Sequence, residues 1–159
     1  MRFLKPSAAL LFTLALSATA WSQSTLNFPR GFSPADLRTT GFAIVNPGPA
    51  NALVTYTLYG AAGQVIETSS QTIPAGGQVA KLGLGATEIF QDASAVGWVQ
   101  ATSTATGLQG FWLGGDFVTY ANGAEAAGTT SELIFPLVAE HTEINVANPA
   151  ESSKESPSE

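Results

Sequence analysis

Apolar and polar residues alternate along most of this chain, and nearly every alternating segment ends at a glycine, proline or asparagine. In 53–59, Val54, Tyr56 and Leu58 alternate with Thr55 and Thr57. Successive side chains of a strand point to opposite faces, so this pattern predicts a β-strand with one buried face. The same reasoning predicts strands at 26–28, 42–45, 64–73, 78–82, 96–103, 108–120, 131–138 and 142–148.

The connections between these segments indicate an all-β fold. Residues 60–63 (GAAG) have the length and composition of a hairpin turn with positive φ, and the more polar segment 64–73 is predicted to be an edge strand. Residues 104–107 are predicted to close a second hairpin between 96–103 and 108–120. Only 84–91 suits a helix, of one or two turns. The pattern predicts an immunoglobulin-like antiparallel β-sandwich with one short helical turn, and a β-barrel is the alternative.

One block of sequence occurs twice. Residues 26–29 (LNFP) and 42–47 (FAIVNP) are echoed by 133–136 (LIFP) and 144–149 (INVANP), and the two Phe-Pro pairs are 107 positions apart. That spacing suits one β-sandwich domain, so 131–149 is interpreted as a repeat of the 24–47 block. We expect 21–149 to form one domain, with the repeated strands pairing within it or swapping into a neighbouring copy. The apolar residues expected to be buried in these strands are Leu133, Phe135, Ile144 and Val146.

The two ends of the chain have different compositions from the middle. Residues 1–20 combine Arg2 and Lys5, an apolar run at 8–16 and the small residues Ala18 and Ala20. This is the pattern of a signal peptide, and it predicts a bacterial protein secreted to the periplasm or the cell exterior, with no membrane association after cleavage. Residues 150–159 contain charged and polar residues with almost nothing to bury, and we expect a disordered acidic tail.

Charge and cysteine content exclude several classes of function. After cleavage, four cations remain against twelve acids, a formal net charge of −8. Nucleic acids and anionic membranes are bound by clustered Lys and Arg, so neither is an expected partner. The chain has no cysteine, which rules out disulfides, thiol catalysis and thiolate metal sites.

Six short motifs, taken in order, resemble a known type of module. The resemblance is to an uncharacterised, often tandemly repeated, immunoglobulin-like β-sandwich module of secreted bacterial proteins, and it covers about 25–149. It implies an extracellular module and transfers no catalytic role. The motifs are Phe28-Pro29, 41–47 (GFAIVNP), 73–77 (IPAGG), 97–99 (GWV), 109–111 (QGF) and 115–117 (GDF).

Catalytic chemistry has little support in the sequence. His141 is the only histidine and has no triad pattern around it. Asp92, Asp116 and Glu88 adjoin apolar segments, and a turn or helix-end role suits them better than a pair of catalytic carboxylates. No catalytic residue, metal site or cofactor is predicted, and a secreted hydrolase using Asp92 or Asp116 is the least favoured function.

The aromatic residues are the better candidates for function. If 96–103 and 108–120 form a hairpin with Ser103 opposite Leu108, Trp98 shares a face with Phe111, and Trp112 shares the other with Val99. One tryptophan is then in the core and the other is exposed, and the alternative is that both are covered. The predicted ligand-binding residues are Trp98, Phe111, Trp112 and Tyr120. An exposed tryptophan on a flat sheet suits a protein partner or a sugar ring.

Two functions follow from this reading. The favoured one is a non-catalytic secreted module for cell-surface adhesion, structure or protein assembly. The alternative is a carbohydrate-binding module. The expected partners are therefore other surface proteins or polysaccharide.

Overall fold

The computed structural model describes residues 23–132 and 144–149. Within them, sheet A has the strand order β1-β6-β3-β4 and sheet B the order β5-β2-β7-β8, and all pairings are antiparallel. The predicted all-β sandwich is confirmed, and these two sheets do not close into a barrel. The elements are β1 (Ser24–Phe32), α1 (Pro34–Thr39), β2 (Thr40–Val45), β3 (Ala52–Gly60), β4 (Val65–Ile73), β5 (Gln78–Leu82), β6 (Gly97–Ser103), β7 (Gln109–Gly115) and β8 (Ala121–Glu125).

A chain of aromatic rings joins the two sheets through the core. Phe28 and Phe32 of β1 each meet Phe42 of β2 edge to face, with ring centroids 5.2 and 5.3 Å apart. Phe32 meets Trp112 of β7 in the same way, at 5.4 Å. Edge-to-face pairs add stability beyond the area that they bury, so these rings fix how sheet A lies on sheet B.

The β3–β4 connection agrees with its sequence. Val54, Tyr56 and Leu58 are buried, as the alternation in 53–59 predicts. The 60–63 turn joins β3 to β4 with Gly63 at φ +79°, a conformation that glycine adopts without strain. The prediction that 64–73 is an edge strand is confirmed, since β4 ends the order of sheet A.

The predicted hairpin between 96–103 and 108–120 is wrong. β6 lies in sheet A between β1 and β3, whereas β7 lies in sheet B between β2 and β8. The 104–108 connection therefore crosses between the two sheets. Alternation determines which side chains of a strand face the core, but it does not determine the neighbouring strand, because β6 buries the same face in either arrangement.

The helix lies elsewhere than predicted. Residues 84–91 form turns and a bridge between Leu84 and Phe90, with no helix. The six-residue α1 begins instead after Ser33, whose side chain accepts from the backbone N–H of Asp36 while the Asp36 carboxylate accepts from the N–H of Ser33. This capping box, followed by Pro34 at the first helical position, is a specific signal for the start of a helix. The prediction of a helix at 84–91 rests on apolar spacing alone, which is weaker evidence.

The chain after β7 also differs from expectation. The predicted 108–120 strand ends at Gly115, and 121–125, which the sequence analysis left unassigned, forms β8. The predicted strand 142–148 is wrong over its described part, because 144–149 has no regular structure. The predicted strand 131–138 lies outside the described residues except for 131–132, as do the signal peptide, His141 and the tail.

Candidate binding groove

The four predicted ligand-binding residues lie in four different places. Trp98 is on the outer face of sheet A, Phe111 is on the outer face of sheet B, Trp112 is in the core, and Tyr120 is in the loop between β7 and β8. The single aromatic platform expected on one hairpin is not formed, because β6 and β7 belong to different sheets.

Trp112 is a core residue. Its side chain is 5 % exposed, it contacts Phe32, and the guanidinium carbon of Arg30 lies 5.1 Å from the centre of its ring. Trp112 therefore presents no ring face to a ligand at either outer surface, and its aromatic area contributes to stability.

Trp98 has a partner that the sequence analysis did not identify. Tyr59 lies directly opposite Trp98 in the β3–β6 pairing, and the two rings stack with centroids 5.0 Å apart and planes 22° apart. Both residues are half-buried. The alternation in 53–59 places Tyr59 on the outer face, but its neighbour becomes known only once β6 is placed beside β3.

The Trp98–Tyr59 pair opens into a groove of about 880 Å³. The 60–63 turn and Val65 line it together with Pro29, Val96 and the segment 144–149. Among the described residues that line this groove, none is charged. Its volume lies in the usual range for ligand sites, and its surface suits an uncharged ligand.

The segment 144–149 lines the groove in an unexpected orientation. Asn145 and Ala147 are half-buried, whereas Ile144 and Val146 are exposed. The prediction that Ile144 and Val146 face a core is therefore wrong, because within the described residues this segment joins neither sheet and both side chains stay exposed. Leu133 and Phe135 lie outside the described residues.

A polar row adjoins the aromatic pair on the same outer face. Thr57, two residues before Tyr59, lies opposite Gln100, two residues after Trp98. The Gln100 side chain donates to Asn27 Oδ1 at 2.9 Å. Stacked rings thus lie next to a row of hydroxyl and amide groups.

The acids singled out in the sequence bind backbone amides. One carboxylate oxygen of Asp116 accepts from the N–H groups of Val118, Thr119 and Tyr120, and the other accepts from the Thr119 hydroxyl. Glu88 accepts from the N–H of Leu82 at 2.9 Å. Both carboxylates therefore have the local turn roles that their positions suggested.

The Asp116 contacts hold the β7–β8 loop in a set conformation. They keep the pKa of the Asp116 carboxyl well below its usual value, with the Thr119 hydroxyl as the main cause and the three amides next. Phe117, inside the loop, has a φ of 56°, which a bulky side chain adopts only when its surroundings enforce it.

We expect Asp116→Asn to lower the thermal unfolding midpoint near neutral pH, and the difference from the natural protein to shrink in acid. The folded pKa of Asp116 is depressed, so its contribution is complete above the ordinary value of 3.8 and is lost as the pH falls through the folded pKa. Melting curves between pH 7 and pH 2 test this. Thr119→Ala should reproduce part of the loss. A difference that stays constant down to pH 2 would contradict this role of the carboxylate.

The described residues offer neither a metal cluster nor a membrane-spanning helix. In 23–132 and 144–149, no three His, Cys, Asp or Glu side chains come together as a metal site. No helix in these ranges is both long enough and apolar enough to cross a bilayer. The chain matches no family model, no curated protein and no solved structure. The resemblance drawn from its motifs therefore stays an interpretation.

Proposed function

We propose that this protein is a non-catalytic, exported β-sandwich module for adhesion or assembly, and that it binds an uncharged, largely apolar segment of a partner protein in the Trp98–Tyr59 groove. The main support for this proposal is the groove itself. It combines an aromatic pair with a volume of about 880 Å³, and the part of its lining that the structure describes carries no charged residue.

The composition of the lining favours a polypeptide ligand. Most of the described side chains around Trp98 and Tyr59 are those of valine, isoleucine, alanine and proline. An extended chain with small apolar side chains can bury these groups. A charged ligand would lose its hydration there and find no ion partner among the described lining residues.

A neutral carbohydrate is the second candidate. The stacked rings are followed along the sheet by Thr57 and Gln100, and Asn145 and Asn148 bring amide groups to the groove. Aromatic rings beside hydroxyl and amide groups can contact both the apolar face and the hydroxyls of a sugar. Among the described lining residues, apolar side chains outnumber amides and hydroxyls, so we rank this candidate second.

The positions of the acids support a function without catalysis. Asp116 and Glu88 are engaged with backbone N–H groups, and Glu67 accepts from the N–H groups of Gln91 and Asp92. Each of these carboxylates stabilises a turn. A hydrolytic mechanism would need a carboxylate pair arranged around a substrate.

Binding should depend on Trp98. The protein beginning at Trp21 is screened by calorimetry against uncharged ten-residue peptides rich in valine, alanine, proline and threonine, and against neutral glucose and N-acetylglucosamine hexamers. We expect a peptide ligand whose affinity falls about 10- to 30-fold in Trp98→Ala, the usual loss when a central aromatic is removed.

Leu53→Ala is the matched control, because Leu53 is exposed on the same sheet and far along β3 from Tyr59. It should leave the affinity unchanged. Hexamers that bind in a Trp98-dependent manner, with no peptide ligand, would favour the second candidate. Ligands that bind equally well to Trp98→Ala would refute the groove as the site.

A further inference from the structure

The outer face of sheet B is apolar where a solvent-facing sheet is normally polar. Leu82, Phe111 and Leu113 are each about 40 % exposed there. The residues around them are glycines, alanines and Val45, with Gln78 and Gln109 beside Val45 at one end. Among the described strand residues on this face, Glu125 at the β8 edge is the one that carries a charge. An apolar face of this kind marks a contact surface.

Large and small residues occupy set positions on this face. In one row across β5, β2, β7 and β8 the order is Leu82, Gly41, Leu113, Gly123. In the next row it is Ala80, Ala43, Phe111, Glu125. Both rows carry a small residue on β2 and a large one on β7.

We propose that this face pairs with the same face of a second copy of the chain, about a two-fold axis that runs parallel to the strands between β2 and β7. The axis reverses the strand order, so Leu113 of one copy meets Gly41 of the other, and Phe111 meets Ala43. Leu82 lies opposite Gly123, whose outer side is already covered by the Phe111 and Leu113 side chains of its own copy. The two large side chains of β7 thus each face a small residue of β2, which is the self-complementarity that a two-fold interface requires.

The shape and charge of the face fit this partner. Phe111 borders a hollow of about 610 Å³, which is also lined by Ala43, Val45 and Gln109 and is wide enough for a second phenyl ring. Glu125 lies on the edge strand β8, so it stays at the rim of the proposed interface. There it faces Ala80 of the second copy, and the two Glu125 side chains do not meet. Two sheets can pack about 10 Å apart in this way.

The size of the face sets the strength of the pairing. Four strands about 4.8 Å apart and five residues long give roughly 300–400 Å² of flat sheet per copy. Both copies together would bury roughly 600–800 Å², which is less than a standard stable interface and in the range of weak, transient ones, so we expect a weak dimer with a Kd on the order of 10–100 μM.

The test is sedimentation equilibrium of the protein beginning at Trp21, from 1 μM to 1 mM. The mass should rise from one chain to two. Gly41→Leu fills the space that receives Leu113 and should weaken dimerisation at least 10-fold. A Cβ at Gly41 would be 3.9 Å from its nearest neighbours, so the monomer has room for the added side chain. Circular dichroism checks the fold, and Gly41→Ala serves in place of a leucine variant that unfolds.

A double variant tests the predicted register. Gly41→Leu with Leu113→Ala exchanges the large and small positions and should restore the natural Kd to within about threefold. Leu53→Lys, on sheet A, should have no effect. A protein that is monomeric at 1 mM, a dimer indifferent to Gly41→Leu, or a double variant no better than Gly41→Leu alone would overturn the proposal.

Discussion

Replacing Trp112 with alanine should lower the free energy of unfolding by about 3–5 kcal/mol, the range measured when a large aromatic residue is removed from a packed core. The Trp112 ring is 5 % exposed and ends the chain of edge-to-face contacts through Phe32 and Phe42. Its loss leaves a cavity between the sheets and removes the ring that Arg30 covers. Urea unfolding followed by far-ultraviolet circular dichroism measures the change.

Trp98→Ala is the control for this experiment, because it removes the same side chain from an outer face. Trp98 is half-buried and stacks on Tyr59 alone among the described aromatic residues, so we expect a loss below about 1.5 kcal/mol. Equal losses in the two variants would show that the assignment of one tryptophan to the core and one to the surface is wrong.

Asn46→Ala should destabilise the protein by about 2–4 kcal/mol, because it removes a buried amide that makes several hydrogen bonds, one of them to the buried carbonyl of Ile73. Asn46 follows β2 and is 1 % exposed. Its side-chain amide donates to the carbonyls of Ala50 at 2.8 Å and Pro74 at 3.1 Å, and its Oδ1 accepts from the N–H of Gly48. One side chain thus ties the 46–51 turn to the 74–77 turn.

Asn51 provides a matched comparison in the same turn. It is exposed, and its side chain accepts one hydrogen bond, from the N–H of Ala75 at 3.1 Å. Asn51→Ala should cost less than about 1 kcal/mol in the same urea measurement. A loss as large as that of Asn46→Ala would mean that burial of the amide is not what makes Asn46 important.

Most of the strands bury one face, so the alternation of apolar and polar residues predicts them. Val54, Tyr56 and Leu58 show this well, and the same parity places Trp112 inward and Trp98 outward. The 121–125 strand (ANGAE) lacks such a pattern because all five of its residues are exposed, so the sequence offered little to detect. The helix was missed because its signal, Ser33 with Asp36, is a capping pattern and not a hydrophobic one.

The binding groove depends on the order of the strands in sheet A, which the alternation of apolar and polar residues does not determine. Trp98 and Tyr59 are 39 positions apart, and they meet because β6 inserts between β1 and β3. The predicted β6–β7 hairpin places Trp98 beside Phe111, which in the structure lies on the other sheet. Long-range strand order is set by the packing of the whole core, which no single segment encodes.

The central claim is that the Trp98–Tyr59 groove is the ligand site, and amide NMR tests it most directly. The ¹⁵N-labelled protein is titrated with the tightest ligand from the peptide and oligosaccharide screen. The account predicts shift changes in 59–65, 96–98 and 144–148, with the outer face of sheet B unaffected. Shift changes centred on Phe111 or on the 116–120 loop, with the Trp98 indole signal unmoved, would contradict it.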